Sequence, residues 1–306
     1  MPSAVQEIYG GMDAECKYVG PMLLSEEQGR VSSIPHGSKC ERQWIDEPFP
    51  HDELEKYKRK GKKIVYASFG TVATGFFWDY SGPTSNMMGA KTSGKEFCRT
   101  MWERIFQAFG GNDKYVVVMA TVSEDPDALE GFEIPANFIV RRKCPQLDVL
   151  KVADVFITHG GANSMMESIS AHVPMLVLPY VVDQFDNAEI VSRQGIGMHH
   201  SDPINAGTSH FLAMDVETLV MLRDRFAANC ARLHKSLQDA GGAEKASQCI
   251  EEYVSNFKGH QIKKGMSTRY TGHYINHILS SFGSGRFMME ESGSSFDNVL
   301  PDEQQV

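Results

Sequence analysis

The alternation of short β-rich runs with longer helical segments, between residues 62 and 257, is the feature that most constrains the fold. The strand-like runs have about four to six residues and are mostly apolar, whereas the segments between them have helical spacing. Such runs are typical of parallel strands that are covered on both faces, because each crossover helix packs back against the sheet. The sequence therefore predicts an α/β fold, a Rossmann-like parallel sheet with helices on both faces.

The predicted elements divide the chain into three regions. Strands are expected at 64–69, 115–120, 138–140, 155–158 and 175–178. Helices are expected at 97–109, 145–151, 163–171, 183–194, 216–237 and 243–257. They form a domain at 61–258 with an inserted loop at 75–95, after a linker and lead-in at 1–60 that contains a short helix at 52–60. Residues 259–306 form a C-terminal extension, expected to be disordered from about residue 283 because Gly, Ser and acidic residues dominate it.

Composition and charge exclude several classes of protein. The net charge of −9, from 30 basic and 39 acidic residues, argues against a general nucleic-acid-binding protein, since phosphate backbones require clustered Lys and Arg. The six cysteines form no CxxC pair, and no apolar run approaches the roughly 20 residues that span a bilayer. The N-terminus lacks the pattern of a secretory signal. We therefore expect a cytoplasmic protein with reduced thiols, no transmembrane segment and no nucleic-acid partner.

The segment from Thr158 to Glu167 is the strongest candidate for chemistry. A predicted strand ends at Thr158, two glycines allow a tight turn, and a helix is expected to begin near Ser164. The N–H groups and positive dipole end of such a helix suit a phosphate or diphosphate, and the His159 ring could donate to a phosphate oxygen. Glu167 could accept both hydroxyls of a ribose. Ser164 and Glu167 also fit a capping box, S-x-x-E, which needs no ligand, and the segment alone does not decide between these interpretations.

Two other strand-to-helix turns carry polar residues. Asp183 and Gln184 follow the strand at 175–178, and an adjacent carboxylate and amide could grip neighbouring hydroxyls of a sugar. The alternative is that Asp183 is only a helix N-cap. The basic turn at 141–146 is by itself a solvated charge run, but beside a diphosphate it would supply charge and a stacking plane. Ligands in such folds bind beyond the carboxyl ends of the strands, so these turns are candidates for the site.

Together these segments resemble the donor-binding signature of the UDP-glycosyltransferase superfamily, the family 1 glycosyltransferases of the GT-B fold. The resemblance rests on the pattern His159-Gly160-Gly161-Ala162-Asn163-Ser164-x-x-Glu167, followed by Pro174, Pro179 and Asp183-Gln184. Upstream, similar segments are Pro145-Gln146-x-x-x-Leu150, Ser68-Phe69-Gly70-Thr71 and the linker-like Val19-Gly20-Pro21. The match runs from about residue 18 to residue 257. The expected fold is therefore the C-terminal half of a GT-B fold.

The resemblance implies a role for each matching residue, with a UDP-sugar as the ligand. Gln146 and the backbone near Cys144 would hold the uracil, and Glu167 would bind the ribose. The residues implied to bind the diphosphate are His159, Gly161, Asn163 and Ser164. The residues implied to bind the transferred sugar are Asp183 and Gln184. The residues implied to close over the phosphates and the sugar are Ser68, Gly70 and Thr71.

The chain departs from the family pattern in several places. Lys143 stands where plant enzymes have a Trp that stacks on uracil, and Lys143 or Arg142 would replace that ring by a cation–π contact. Ala162 stands where plant enzymes often have Trp. The resemblance begins at the linker, so the first domain, which binds the acceptor and carries the general base in this family, is expected to be missing. We therefore predict no catalytic base in this chain, and His159 is not assigned that role.

Three further patterns are interpreted without a ligand. Residues 89–96 nearly match a Walker A loop, but Glu96 stands where a Mg²⁺-binding hydroxyl is needed. Residues 125–127 mimic the DxD metal motif of other glycosyltransferases, but they lie in an acidic turn. The pair His199-His200 has no third ligand in view. We predict no metal site and no cofactor, since the UDP-sugar is a substrate and the GT-B fold needs no bound metal.

The resemblance implies a hexosyltransferase, an enzyme that moves a hexose from a UDP-sugar to an acceptor hydroxyl with inversion. This chain would supply the donor-binding half and would be incomplete by itself. A small-molecule or lipid acceptor would be bound by a missing N-terminal domain or a partner chain. Two alternatives remain: a nucleotide-sugar-binding subunit that needs a separate acceptor-domain partner, and a sugar-nucleotide epimerase of the same fold. The Asp183-Gln184 pair favours a transferase over an epimerase.

Overall fold

The computed structural model describes residues 19, 21, 47–80 and 92–256, all of which lie in one compact unit. Its sheet has six parallel strands in the spatial order β3-β2-β1-β4-β5-β6. The strands are β1 (Lys63–Ser68), β2 (Tyr115–Ala120), β3 (Phe138–Arg141), β4 (Val155–Thr158), β5 (Met175–Val177) and β6 (Gly197–His199). The order reverses between β1 and β4. The carboxyl ends of these two strands therefore form the topological switch point at which such sheets bind ligands.

Apolar side chains on both faces of the strands explain why the sheet is covered on both sides. On β1, Val65 and Ala67 belong to one hydrophobic core, whereas Ile64 and Tyr66 belong to the other. Strand β2 is buried along its whole length. The predicted α/β architecture, a parallel sheet with helices on both faces, is confirmed.

The helices pack on these two cores and connect the strands. One core includes side chains of α2 and α7, and the other includes side chains of α1, α3, α4, α5 and α8. The helices are α1 (His51–Arg59), α2 (Gly94–Phe109), α3 (Gln146–Val152), α4 (Ala162–Ser170), α5 (Gln184–Arg193), α6 (Pro203–Ala206), α7 (Ser209–Met221), α8 (Arg223–Asp239) and α9 (Gly242–Asn256). A π-helical turn, Val72–Phe76, follows β1.

One prediction in the C-terminal part of the domain was wrong, and one strand was not predicted. The single helix expected at 216–237 is two helices, α7 and α8, which meet at Leu222. Helix α7 begins earlier than expected because the Thr208 hydroxyl accepts a hydrogen bond from the Phe211 N–H and caps it. Strand β6 was not predicted, because three residues, Gly-Met-His, show no strand pattern. Its backbone pairing with β5 defines it as a strand.

The loop expected at 75–95 has regular structure at both of its described ends. Its start falls in the π-helical turn, and its last two residues begin α2, whose first turn is capped by the Ser93 hydroxyl accepting from the Glu96 N–H at 3.1 Å. Gly94 leaves room for this turn, since an added Cβ would meet the Phe77 carbonyl oxygen at 2.8 Å. Residues 81–91, which include the start of the Walker-like segment, lie outside the described residues.

The described ends of the unit add three findings. The helix expected at 52–60 is present as α1. In the linker-like segment, the carbonyl of Val19 accepts a hydrogen bond from the N–H of Gly242, the first residue of α9. The C-terminal extension, including the tail expected to be disordered, lies outside the described residues. Within the described part of the chain, no helix combines the length and the apolar character needed to cross a bilayer.

Candidate functional site

Two glycine turns meet at the switch point and enclose the His159 ring. Gly70 follows β1 with φ +69°, and Gly160 follows β4 with φ +82°. A Cβ added at Gly70 would lie 2.5 Å from His159 Cε1, and one added at Gly161 would overlap His159 Nε2. The ring therefore packs directly against the backbone of both turns, and only glycine admits that contact.

The electrostatic state of His159 follows from its burial. The residue is 6% exposed, and burial lowers the pKa of its imidazole to about 4, against the opposing effects of a hydrogen bond with the Ser68 backbone and the negative charge of Asp183. The Thr158 hydroxyl lies 3.5 Å from His159 Nδ1. At neutral pH the ring is uncharged and carries a single N–H. Its role in binding phosphate stays a prediction.

We expect His159 to make the folded protein less stable in acid. Its pKa is about 4 in the folded chain against 6.5 for an ordinary His, so the unfolded chain takes up the proton first as the pH falls. The stabilisation is fully present above pH ~6.5 and is lost by pH ~4, a change of about 3 kcal/mol. Urea unfolding of wild type and His159→Gln across this range measures it. Parallel stability curves for the two proteins would contradict the assignment.

Four side chains from three elements form a hydrogen-bonded cluster beside this turn. Gln146 Nε2 donates to Ser164 Oγ at 3.2 Å and to Glu167 Oε2 at 2.5 Å, and the Tyr66 hydroxyl donates to Gln146 Oε1 at 3.1 Å. Glu167 is 5% exposed. The structure thus brings together the residues implied for uracil and ribose. Both amide hydrogens of Gln146 are used within the cluster, and its contact with uracil stays a prediction.

The capping-box interpretation of Ser164 and Glu167 is wrong. Helix α4 begins at Ala162 with Gly161 as its N-cap, so Ser164 lies within the first turn rather than before it. The N-cap residue is a glycine and has no side chain to cap the helix, and the first turn contains no acidic residue. Its first N–H groups and positive dipole end lie at the switch point. This arrangement suits an anion.

The loop after β5 is held by its own polar side chains. Gln184 is 4% exposed, and its Oε1 accepts hydrogen bonds from the Tyr180 and Val181 N–H groups at 2.8 and 3.0 Å. These bonds fix a strained segment, since Val182 has φ +55°, a conformation that β-branched residues rarely adopt. Asp183 occupies the N-cap position of α5, but its carboxylate makes no capping hydrogen bond. It accepts instead from Asn187 Nδ2 at 2.9 Å.

The remaining residues of the predicted site differ in how accessible they are. Arg142 is buried, and its Nη1 donates to the Ser123 carbonyl at 3.0 Å, so its guanidinium is engaged by the loop that follows β2. Lys143 is partly exposed, and burial raises the pKa of the Cys144 thiol to about 12. Of the other predicted residues, Ser68 is buried, whereas Thr71 and Asn163 are exposed. Their contacts with a nucleotide sugar stay predictions.

Two residues that organise the site were not predicted from the sequence. Tyr66 reads only as an aromatic residue of a buried strand, yet its hydroxyl orients the amide of Gln146. Asn187 lies one helical turn after Asp183 and donates hydrogen bonds both to Asp183 and to the Gly160 carbonyl. The sequence did contain a signal for Asn187, since it is a polar residue four positions after Asp183, and residues at this spacing on a helix are neighbours.

The patterns interpreted without a ligand have structural partners. The Asp125 carboxylate accepts from Trp78 Nε1 at 2.9 Å and from Lys95 Nζ at 2.8 Å, which anchors the acidic turn. His200 Nε2 lies 2.6 Å from Asp215 Oδ2. Within residues 47–80 and 92–256, no three His, Cys, Asp or Glu side chains form a group that could hold a metal ion.

Comparison with known proteins gives consistent results. Residues 117–262 match the family model described as UDP-glucoronosyl and UDP-glucosyl transferase. The chain is 35% identical over 153 residues to the NDP-glycosyltransferase YjiC of Bacillus subtilis, an alignment that covers 50% of this chain and 38% of the relative. It is 34% identical over 121 residues to the oleandomycin glycosyltransferase of Streptomyces antibioticus, an alignment that covers 39% of this chain and 27% of that relative. The chain thus spans less than half the length of these relatives.

Solved structures with the same architecture include two glycosyltransferases. The glycosyltransferase of kitacinnamycin superposes with a TM-score of 0.52 at 25% identity, covering 77% of this chain and 49% of that one. The calicheamicin glycosyltransferase CalG4 superposes with a TM-score of 0.51 at 19% identity, covering 84% of this chain and 60% of that one. This second likeness concerns the fold alone. The six-stranded sheet is therefore that of one half of a GT-B glycosyltransferase. By sequence, residues 117–262 of this chain are thus similar to the family of UDP-glucoronosyl and UDP-glucosyl transferases.

Proposed function

We propose that this chain is the donor-binding part of an inverting UDP-glycosyltransferase, which transfers a hexose from a UDP-sugar to an acceptor hydroxyl. The observation that carries the proposal is the junction of the α4 N-terminus, the buried His159 ring and the Gln146–Ser164–Glu167 cluster at the switch point of the sheet. An anion site and a buried carboxylate side by side match the diphosphate and ribose of a nucleotide sugar.

The proposed reaction is a direct displacement at the anomeric carbon of the sugar. The acceptor oxygen forms a bond to that carbon as the bond to the diphosphate breaks, so the configuration inverts and UDP leaves with both bonding electrons. Negative charge grows on the leaving diphosphate, and the α4 N–H groups and His159 would stabilise it. We propose that this stabilisation needs no metal ion, and that Asp183 binds a hydroxyl of the departing hexose.

The general base that takes the acceptor proton is proposed to come from the acceptor side, from another domain or a partner chain. His159 is not assigned this role, because its ring is packed between two glycine turns and is proposed to contact the diphosphate instead. Proton transfer needs a base within hydrogen-bond reach of the acceptor hydroxyl. The same acceptor side would determine whether a small molecule or a lipid is glycosylated.

Calorimetric titration of the purified chain with UDP and with UDP-glucose tests this function. We expect Glu167→Ala and His159→Ala each to weaken UDP binding at least tenfold, or about 1.4 kcal/mol, because one removes the ribose acceptor and the other a phosphate donor. Glu217→Ala is the matched control. It removes a glutamate that pairs with Lys114 at the amino end of β2, at the opposite edge of the sheet. Unchanged affinity in Glu167→Ala, or no binding by folded wild type, would refute the proposal.

A further inference from the structure

One amide group connects the two loops that form the candidate site. Asn187, on α5, donates from Nδ2 to the Gly160 carbonyl at 2.8 Å and to Asp183 Oδ2 at 2.9 Å. Gly160 belongs to the turn after β4, and Asp183 belongs to the loop after β5. The two hydrogens of the amide therefore hold the glycine turn and the Asp183 carboxylate at a fixed separation.

The chemistry of these two contacts requires an amide. Both acceptors are oxygens, and a neutral side chain that donates two hydrogens from one atom is found only in Asn and Gln. The Gly160 oxygen is well fixed, since this residue has φ +82° and an added Cβ would lie 2.7 Å from Val177 Cγ1. Asn187 is partly buried, whereas Asp183 is exposed. The exposed carboxylate is therefore oriented from behind by a residue anchored to the buried turn.

We propose that Asn187 is a positioning residue, which orients Asp183 to bind a hydroxyl of the sugar portion of a nucleotide sugar while the adjacent glycine turn binds the diphosphate. This role rests on the proposed function of the site. Asn187 acts through Asp183 and touches neither the nucleotide nor the sugar. Its loss should therefore weaken recognition of the sugar more than recognition of the nucleotide.

The test compares UDP with UDP-glucose on the full chain. The measured quantity is the ratio of the two association constants, obtained by calorimetry for wild type, Asn187→Ala, Asn187→Asp and Asp183→Ala. We expect both Asn187 variants and Asp183→Ala to lower this ratio about fivefold or more, with UDP affinity changed less than about threefold. Asn187→Asp keeps the shape of the side chain but turns oxygens toward two oxygen acceptors, so it should be at least as harmful as Asn187→Ala.

The matched control is another asparagine that ties a helix to a glycine carbonyl. Asn229 Nδ2, on α8, donates to the Gly195 carbonyl at 2.9 Å and is also partly buried, but it makes no contact with Asp183. We expect Asn229→Ala to lower the Tm and to leave the ratio at its wild-type value. In the double variant Asn187→Ala/Asp183→Ala, the ratio should fall no further than in Asp183→Ala, because Asn187 acts through that carboxylate.

The outcomes separate this role from the proposed function. If wild type binds both ligands and Glu167→Ala weakens both, but Asn187→Ala keeps the wild-type ratio, the positioning role is overturned and the proposed function stands. If folded wild type binds neither ligand, the proposed function falls and the sugar-positioning role falls with it. In that case the Tm values of the two single variants and the double variant still test the contact between Asn187 and Asp183. If the Tm loss of the double variant equals the sum of the two single losses, the two residues are not coupled.

Discussion

Gly70→Ala is expected to abolish detectable UDP binding and to lower the free energy of unfolding by about 2–4 kcal/mol. Two costs add at this position. The backbone has φ +69°, which disfavours any side chain, and the new Cβ would lie 2.5 Å from Cε1 and 2.7 Å from Nε2 of His159. The ring cannot retreat, because it already packs against Gly161. It must leave its place at the switch point, and the phosphate contact proposed for it is lost as well.

Gly61→Ala separates these two costs. Gly61 has φ +76°, close to the value at Gly70, but an added Cβ there would meet no atom within 4 Å. We expect this variant to lose about 1–2 kcal/mol of stability from the backbone alone and to bind UDP as wild type does. Urea unfolding and calorimetric titration of both variants measure the two effects. Equal stability losses, or normal UDP binding by Gly70→Ala, would contradict the close packing of His159 on Gly70.

Asp154→Ala is expected to cost about 3–5 kcal/mol of stability, because it leaves buried groups without their partner. Asp154 is 4% exposed and precedes β4. Its Oδ2 accepts from the Ile64 N–H at 2.8 Å and from Lys58 Nζ at 3.0 Å, and its Oδ1 lies 3.7 Å from Arg223 Nε. One carboxylate thus joins α1, the start of β1 and α8.

The position of Asp154 determines how this loss should appear. It lies at the amino ends of β1 and β4, at the edge of the sheet opposite the candidate site, so the remaining folded protein should bind UDP normally. Asp154→Asn keeps an acceptor for Ile64 and should cost less than Asp154→Ala. Asp148→Ala, which removes a half-exposed pair with Lys151, should cost at most about 1 kcal/mol. Urea unfolding of the three variants measures these losses of stability, which should be largest for Asp154→Ala. A loss for Asp154→Ala no larger than that for Asp148→Ala would refute the prediction.

Local patterns accounted for most of the framework. The apolar runs at 115–120 and 155–158 became β2 and β4 with the predicted bounds, because a strand buried on both faces has to be apolar along its length. The break at Leu222 and strand β6 were missed. A break within a helical pattern depends on how α7 and α8 pack, and a strand of three residues exists only through its pairing with β5. Neither leaves a periodic signal in the sequence.

The sequence by itself determined which residues lie at the strand-to-helix turns, because strand and helix periods are local properties of the chain. It also contained the residues His159, Glu167 and Asp183, on which the resemblance to a donor-binding signature rests. Only the tertiary structure decided which turns meet, since the pairing of β1 with β4 joins segments about 90 residues apart in sequence. That pairing places Gly70 against His159. Ser164 and Glu167, which the sequence pattern presents as a capping box, instead accept hydrogen bonds from Gln146. Contacts of this kind depend on distances between elements, and no local pattern encodes them.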